Sequence, residues 1–104
     1  MNVNIQAPFT IKSDQESEII NQIKSLSTYN DRITNAEVFF KVGDGNAADS
    51  VIAEIELRVP GPVIFASADD KQFINAFGGA INKVKKQLIK AKETRRKHQL
   101  FLLL

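Results

Sequence analysis

Two runs, Ala36-Glu37-Val38-Phe39-Phe40-Lys41-Val42 and Val51-Ile52-Ala53-Glu54-Ile55-Glu56-Leu57-Arg58-Val59, decide the fold class. In the first, Ala36, Val38, Phe40 and Val42 fall on one side and Glu37, Phe39 and Lys41 on the other. In the second, Val51, Ala53, Ile55, Leu57 and Val59 oppose Glu54, Glu56 and Arg58. Alternation with a period of two marks a strand that buries one face only. The polar stretch Gly43-Asp44-Gly45-Asn46 between the runs makes them a hairpin. Pro60-Gly61 then suits the centre of a type II turn, because proline sets the first torsion and glycine accepts the positive one that follows. Val63 to Ala68 continues as a further strand and completes a meander.

Upstream, Val3, Ile5 and Ala7 alternate with Asn2, Asn4 and Gln6, which predicts an opening strand ended by Pro8. Ser13-Asp14-Gln15-Glu16 reads as a capping box, with Ser13 as the cap and Glu16 reaching back to its amide. Ile19, Ile23 and Leu26 carry the helix that follows along one face, and Asp14, Glu16 and Glu18 sit at the positive end of its dipole. Downstream of Asp70, Ile74, Phe77, Ile81, Val84, Leu88 and Ala91 recur at spacings of three and four, the stripe of one long helix. Asn75, Asn82, Lys83, Lys86, Lys90 and Lys97 project to the side away from that stripe. The order β-α-β-β-β-α implies an α+β fold in two layers, a four-stranded sheet with two helices on one face. If the strands flanking the first helix are parallel neighbours, their connection is a right-handed crossover. The pattern does not fix strand order.

A chain of 104 residues with 43% hydrophobic and 25% charged residues has the composition of one ordinary globular domain. The expected division is a single domain over residues 1–98 and a short apolar tail over residues 99–104. The absence of cysteine excludes disulfides, thiolate metal sites and a cysteine nucleophile, and agrees with a cytoplasmic location. The opening residues do not resemble a secretion signal, and no stretch is apolar enough to span a membrane, so no membrane partner is expected. Charge is unevenly distributed. Residues 1–82 hold 6 Lys/Arg against 11 Asp/Glu, a net −5, whereas residues 83–104 hold 8 against one, a net +7. Such a split points to an anionic partner for the basic end.

Lys83, Lys85, Lys86, Lys90, Lys92, Arg95, Arg96 and Lys97 form this basic end, within about four turns of one helix. Cations at helical spacing span successive phosphates and release counterions, although Lys and Arg also simply complement the negative end of a helix. Gly78-Gly79 interrupts the same helix and calls for close packing against a neighbour; it lacks the strand-to-loop context of a nucleotide site. Asp44, Asn46 and Asp49 lack the spacing and distal Glu of a calcium loop and read as a hairpin connection. His98 is the sole histidine and has no nucleophile, base or second ligand near it in sequence. Neither an enzyme, a cofactor, a metal nor a small-molecule substrate is therefore expected. The tail Gln99-Leu100-Phe101-Leu102-Leu103-Leu104 has three routes open to it: folding back on the sheet, weak self-association with a second copy, or fraying.

Four segments carry a resemblance over nearly the whole chain: Leu26-x-x-Tyr29-x-Asp31-Arg32-Ile33, Val38-x-x-Lys41-Val42, Ala66-Ser67-Ala68, and Ile81-x-Lys83-x-x-Lys86-Gln87-Leu88-x-Lys90. In order and spacing they resemble the short-form ribosome hibernation promoting factors, a family that includes ribosome-associated inhibitor A and is also called the sigma-54 modulation protein family. The resemblance implies a fold similar to double-stranded RNA-binding domains. It also implies a small ribosomal subunit partner whose ribosomal RNA meets the basic helices in the messenger and transfer RNA channel, with translation inhibited in idle or stressed cells. Carried over to this chain, the RNA-binding residues would be Lys83, Lys86 and Lys90, then Lys92, Arg95, Arg96 and Lys97, with Lys24, Arg32 and Lys41 outside the long helix. The dimerising domain of long-form members is not expected. The first helix departs from the family in carrying Glu16, Gln22 and Ser25 where relatives have cations. Two other readings use the same features: a generic RNA-binding or ribosome-assembly module, and a protein-interaction adaptor using the tail and the exposed sheet face with Phe39 and Ile52.

Overall fold

The computed structural model describes residues 1–43, 50–61 and 63–103, with side chains through residue 94. Strands β1 (Asn2–Gln6), β2 (Asn35–Val42), β3 (Val51–Arg58) and β4 (Ile64–Asp70) form one sheet in the order β1-β2-β3-β4. Helix α1 (Ser13–Lys24) runs into a short 3-10 turn, Ser25–Thr28, and α2 spans Phe73–Leu103. β1 and β2 are adjacent and parallel, with Ile5 beside Val38, as a β-α-β crossover requires. β2, β3 and β4 pair antiparallel, with Val38 beside Ile55 and Ile55 beside Ala66. The expected two-layer α+β architecture is the observed one.

Alternation determines which face the helices cover. Ala36, Val38 and Phe40 on β2, Ala53, Ile55 and Leu57 on β3, and Ile64 and Ala66 on β4 are buried beneath Ile19 and Ile23 of α1 and Phe77, Ile81, Val84 and Leu88 of α2. Phe9, Phe40 and Phe73 meet with ring centroids 5.0 to 5.9 Å apart and join the strand layer to the start of α2. Such tilted and edge-on contacts suit the ring quadrupoles.

Local differences from the sequence reading have physical causes. The cap of α1 lies one residue earlier than expected, at Lys12, whose backbone is extended at φ −68 and ψ 153. Lys12 has no side-chain acceptor, so only the reciprocal half of a capping box forms, with the Lys12 amide donating to Gln15 Oε1 at 3.3 Å. β4 continues past Ala68 because Asp69 and Asp70 still pair with Ile52 and Val51. Gly61 has the positive φ, +108, that the Pro60-Gly61 turn calls for. The Gly43 amide donates to the Ser50 carbonyl at 2.7 Å, extending the β2-β3 ladder. The expected loop at Asp44, Gly45 and Asn46, with Asp49, lies outside the described residues.

The two central glycines of α2 have different surroundings. A Cβ on Gly79 would stand 2.9 Å from the Ala68 Cβ, whereas one on Gly78 would meet nothing within 4 Å. Of the two glycines, only Gly79 is required by the close approach of α2 to β4. Gly78→Ala should stabilise the protein by up to about 1 kcal/mol, the helical advantage of alanine. Gly79→Ala should lower stability despite the same advantage, because helix and strand must separate. Urea melts of the two variants check this opposition of sign.

Candidate nucleic-acid interface

The cations of α2 divide by their position around the helix. Lys83, Lys86 and Lys90 lie along the flank beside β4, and Lys85 and Lys92 lie on the other flank. Lys83, Lys86, Lys90 and Lys92 are all exposed, and Leu88 is the last buried residue among the described side chains of the helix. The helix spans 31 residues, about 46 Å, and after Leu88 its described side chains, Ile89 to Thr94, are exposed. Lys90 and Lys92 stand in this exposed stretch.

Lys83 is more than a surface cation. Its Nζ donates to the Ser67 carbonyl at 2.7 Å, and Gln87 Nε2 donates to the Phe65 carbonyl at 2.7 Å. β4 is an edge strand, and its outward carbonyls have no ladder partner. Four residues of helix rise about 6 Å and two residues of strand nearly 7 Å, so an i, i+4 pair of donors on an antiparallel helix matches successive outward carbonyls. The sequence pattern groups Lys83 with the outward array and carries only one trace of this contact, the i, i+4 spacing of Lys83 and Gln87. The ammonium groups of Lys86 and Lys90, by contrast, make no ion pair or hydrogen bond with another described residue.

The remaining expected residues fall in different places. Arg32 lies between the 3-10 turn and β2, and with Lys92 it lines a polar cleft of 510 Å³ that also includes Ser27, Thr28, Asn30 and the acidic Asp31. Asn30 Oδ1 accepts from the Arg32 amide at 2.8 Å and fixes the local turn. Lys24 is exposed at the end of α1. Around it, Gln22 Nε2 donates to Glu18 Oε1 at 2.9 Å and Ser25 Oγ donates to the Gln22 carbonyl at 2.6 Å, so the polar groups of α1 are occupied locally. Lys41 lies on the face of the sheet turned away from the helices, 2.8 Å from Glu54. The backbone of α2 carries Arg95, Arg96, Lys97 and His98, but their side chains lie outside the described residues.

The structure thus brings Lys83, Lys86 and Lys90 into one row and Arg32 and Lys92 to one cleft, and sets Lys41 apart. Rows of mobile ammonium groups one turn apart neutralise phosphates without reading bases. Among the described residues no cluster of His, Cys, Asp or Glu could hold a metal ion. No helix is long and apolar enough to cross a membrane, among the described residues.

Comparison with known proteins gives a consistent result. The family model for the sigma 54 modulation protein / S30EA ribosomal protein matches residues 3–96. No curated protein matches the sequence. The fold is similar to that of a ribosomal subunit interface protein from Coxiella burnetii, with a TM-score of 0.78 and 18% identity over 89% of this chain and 99% of that one. It is similar too to the N-terminal domain of Protein Y from Thermus thermophilus, with a TM-score of 0.74 and 18% identity over 86% and 98%.

The hydrogen bond of Lys83 to β4 separates it from its neighbours in a stability assay. Lys83→Ala combined with Gln87→Ala should cost about 1 kcal/mol and promote association through the uncovered β4 edge. Lys86→Ala with Lys90→Ala should do neither. Urea denaturation and light scattering at increasing concentration compare the two pairs.

Proposed function

The chain belongs to the sigma 54 modulation protein / S30EA ribosomal protein family, and on that premise we infer that it is a ribosome-associated factor of the hibernation type. It binds the small subunit in the cytoplasm, occupies the channel for messenger and transfer RNA, and holds translation down in idle or stressed cells. It acts by occupancy, without a chemical step.

The observation that carries this reading is the cationic edge of α2. Lys86 and Lys90 are exposed and unpaired among the described residues, and the sequence continues the basic run through Lys92, Arg95, Arg96 and Lys97. Residues 1–82 are net acidic, so phosphate is attracted to one edge of the molecule and repelled from much of the rest. That asymmetry orients the protein on RNA. The Arg32 and Lys92 cleft supplies a second phosphate contact on the opposite flank of α2. The first helix contributes little, because its exposed surface carries Asp14, Glu16 and Glu18 against Lys24 alone.

Replacing Lys86 and Lys90 with Glu should abolish co-sedimentation with small subunits and relieve inhibition of a cell-free translation extract. Circular dichroism and melting temperature should stay close to wild-type values, since both side chains are exposed. A double variant that still inhibits at the wild-type concentration would remove α2 from the binding face.

A further inference from the structure

The face of the sheet opposite α1 and α2 is not covered by any other described element, and the strand register arranges its side chains in rows. Asn4, Glu37, Glu56 and Phe65 are neighbours across all four strands. The next row is Gln6, Phe39, Glu54 and Ser67, and beyond it stand Lys41, Ile52 and Asp69. Four acids against Lys41 and Arg58 leave this face net acidic.

Its centre is electrostatically unfinished. Glu37 and Glu56 are direct cross-strand partners, and like charges in that relation, with Cβ atoms about 5 Å apart, destabilise a sheet. Lys41 neutralises Glu54 at 2.8 Å and Arg58 lies 3.7 Å from Glu56, but among the described residues Glu37 receives only the neutral amide of Asn4, at 3.1 Å. Aromatic rings flank the acids. Phe39 is the cross-strand neighbour of Glu54 and Phe65 that of Glu56, and Phe65 is 48% exposed although it belongs to a strand. A carboxylate beside an open ring suits a long cationic side chain, whose stem lies on the ring while its head meets the acid. The same charge repels a phosphate backbone.

We propose that this uncovered face docks a basic polypeptide segment, seating its arginine or lysine side chains between the Phe39 and Phe65 rings and the Glu37, Glu54 and Glu56 carboxylates. The inference goes beyond the ribosome reading and uses none of the α2 cations. The protein then has two recognition surfaces of opposite sign, one edge for RNA and one sheet face for a cationic protein chain.

The test is an NMR titration of the full chain, labelled with ¹⁵N, by a blocked peptide of alternating arginine and serine. Amide shifts should centre on Glu37, Phe39, Glu54, Glu56 and Phe65 and spare α2. Glu37→Gln with Glu56→Gln should weaken binding about tenfold. That variant also relieves a like-charge contact, so it should melt no lower than wild type and any loss of affinity is not unfolding. Phe65→Ala, which leaves every charge in place, should weaken binding as well. Shifts centred on Asp14, Glu16 and Glu18, or affinity indifferent to these substitutions, would overturn the proposal. So would the same residues responding to an RNA hairpin, which would make this a nucleic-acid face, or to protein concentration alone, which would make the occupant a second copy.

Discussion

The side of α2 that carries Gly79, Lys83 and Gln87 is held against β4, and the rest of the surface is arranged around that contact. Gly79 lets the helix come close enough that a single Cβ would collide with Ala68. One and two turns later, Lys83 and Gln87 donate to the Ser67 and Phe65 carbonyls. A helix anchored at three levels along one flank has no freedom to rotate. Val84 and Leu88 are thereby directed into the core, and Lys86 and Lys90 toward solvent. The contact also caps two outward carbonyls of the β4 edge, which would otherwise be open to other chains. One flank of one helix thus settles packing, edge protection and the position of the cations.

Charge follows the layers. Of the described cations of α2, Lys83, Lys86, Lys90 and Lys92 are exposed on sides of the helix turned from the core, and the acids spread over α1 and the open sheet face. Long-range attraction to an anionic partner is therefore directional. A compact domain with mixed charge on every side would bind more weakly and in several orientations.

Much of this fold was legible in the sequence because every strand buries one face only. Ala36-Val38-Phe40 and Ala53-Ile55-Leu57 state their own orientation, and the stripe from Phe77 to Leu88 states that of α2. What was not legible depends on neighbours that a linear pattern does not encode. Gly78 and Gly79 look alike until Ala68 is found beneath only one of them. Lys83 looks like any other lysine of the basic run until the strand order makes β4 an edge with carbonyls to satisfy. The cap moved from Ser13 to Lys12 because it is set by where the backbone leaves the extended path, and residue type only biases that point. In the site, Lys86 and Lys90 could be read from spacing, whereas the separation of Lys41 from them followed only from its place on the far face of the sheet.

If the proposed binding rests on cations of α2 meeting phosphates, the affinity for small ribosomal subunits must fall as salt is raised. If the basic end makes about six such contacts, log affinity should fall against log salt with a slope of roughly −4 to −5, or about a hundredfold between ~100 and ~300 mM. A slope near zero, with affinity unchanged across that range, would contradict the account and transfer the binding energy to the apolar or acidic surfaces of the molecule.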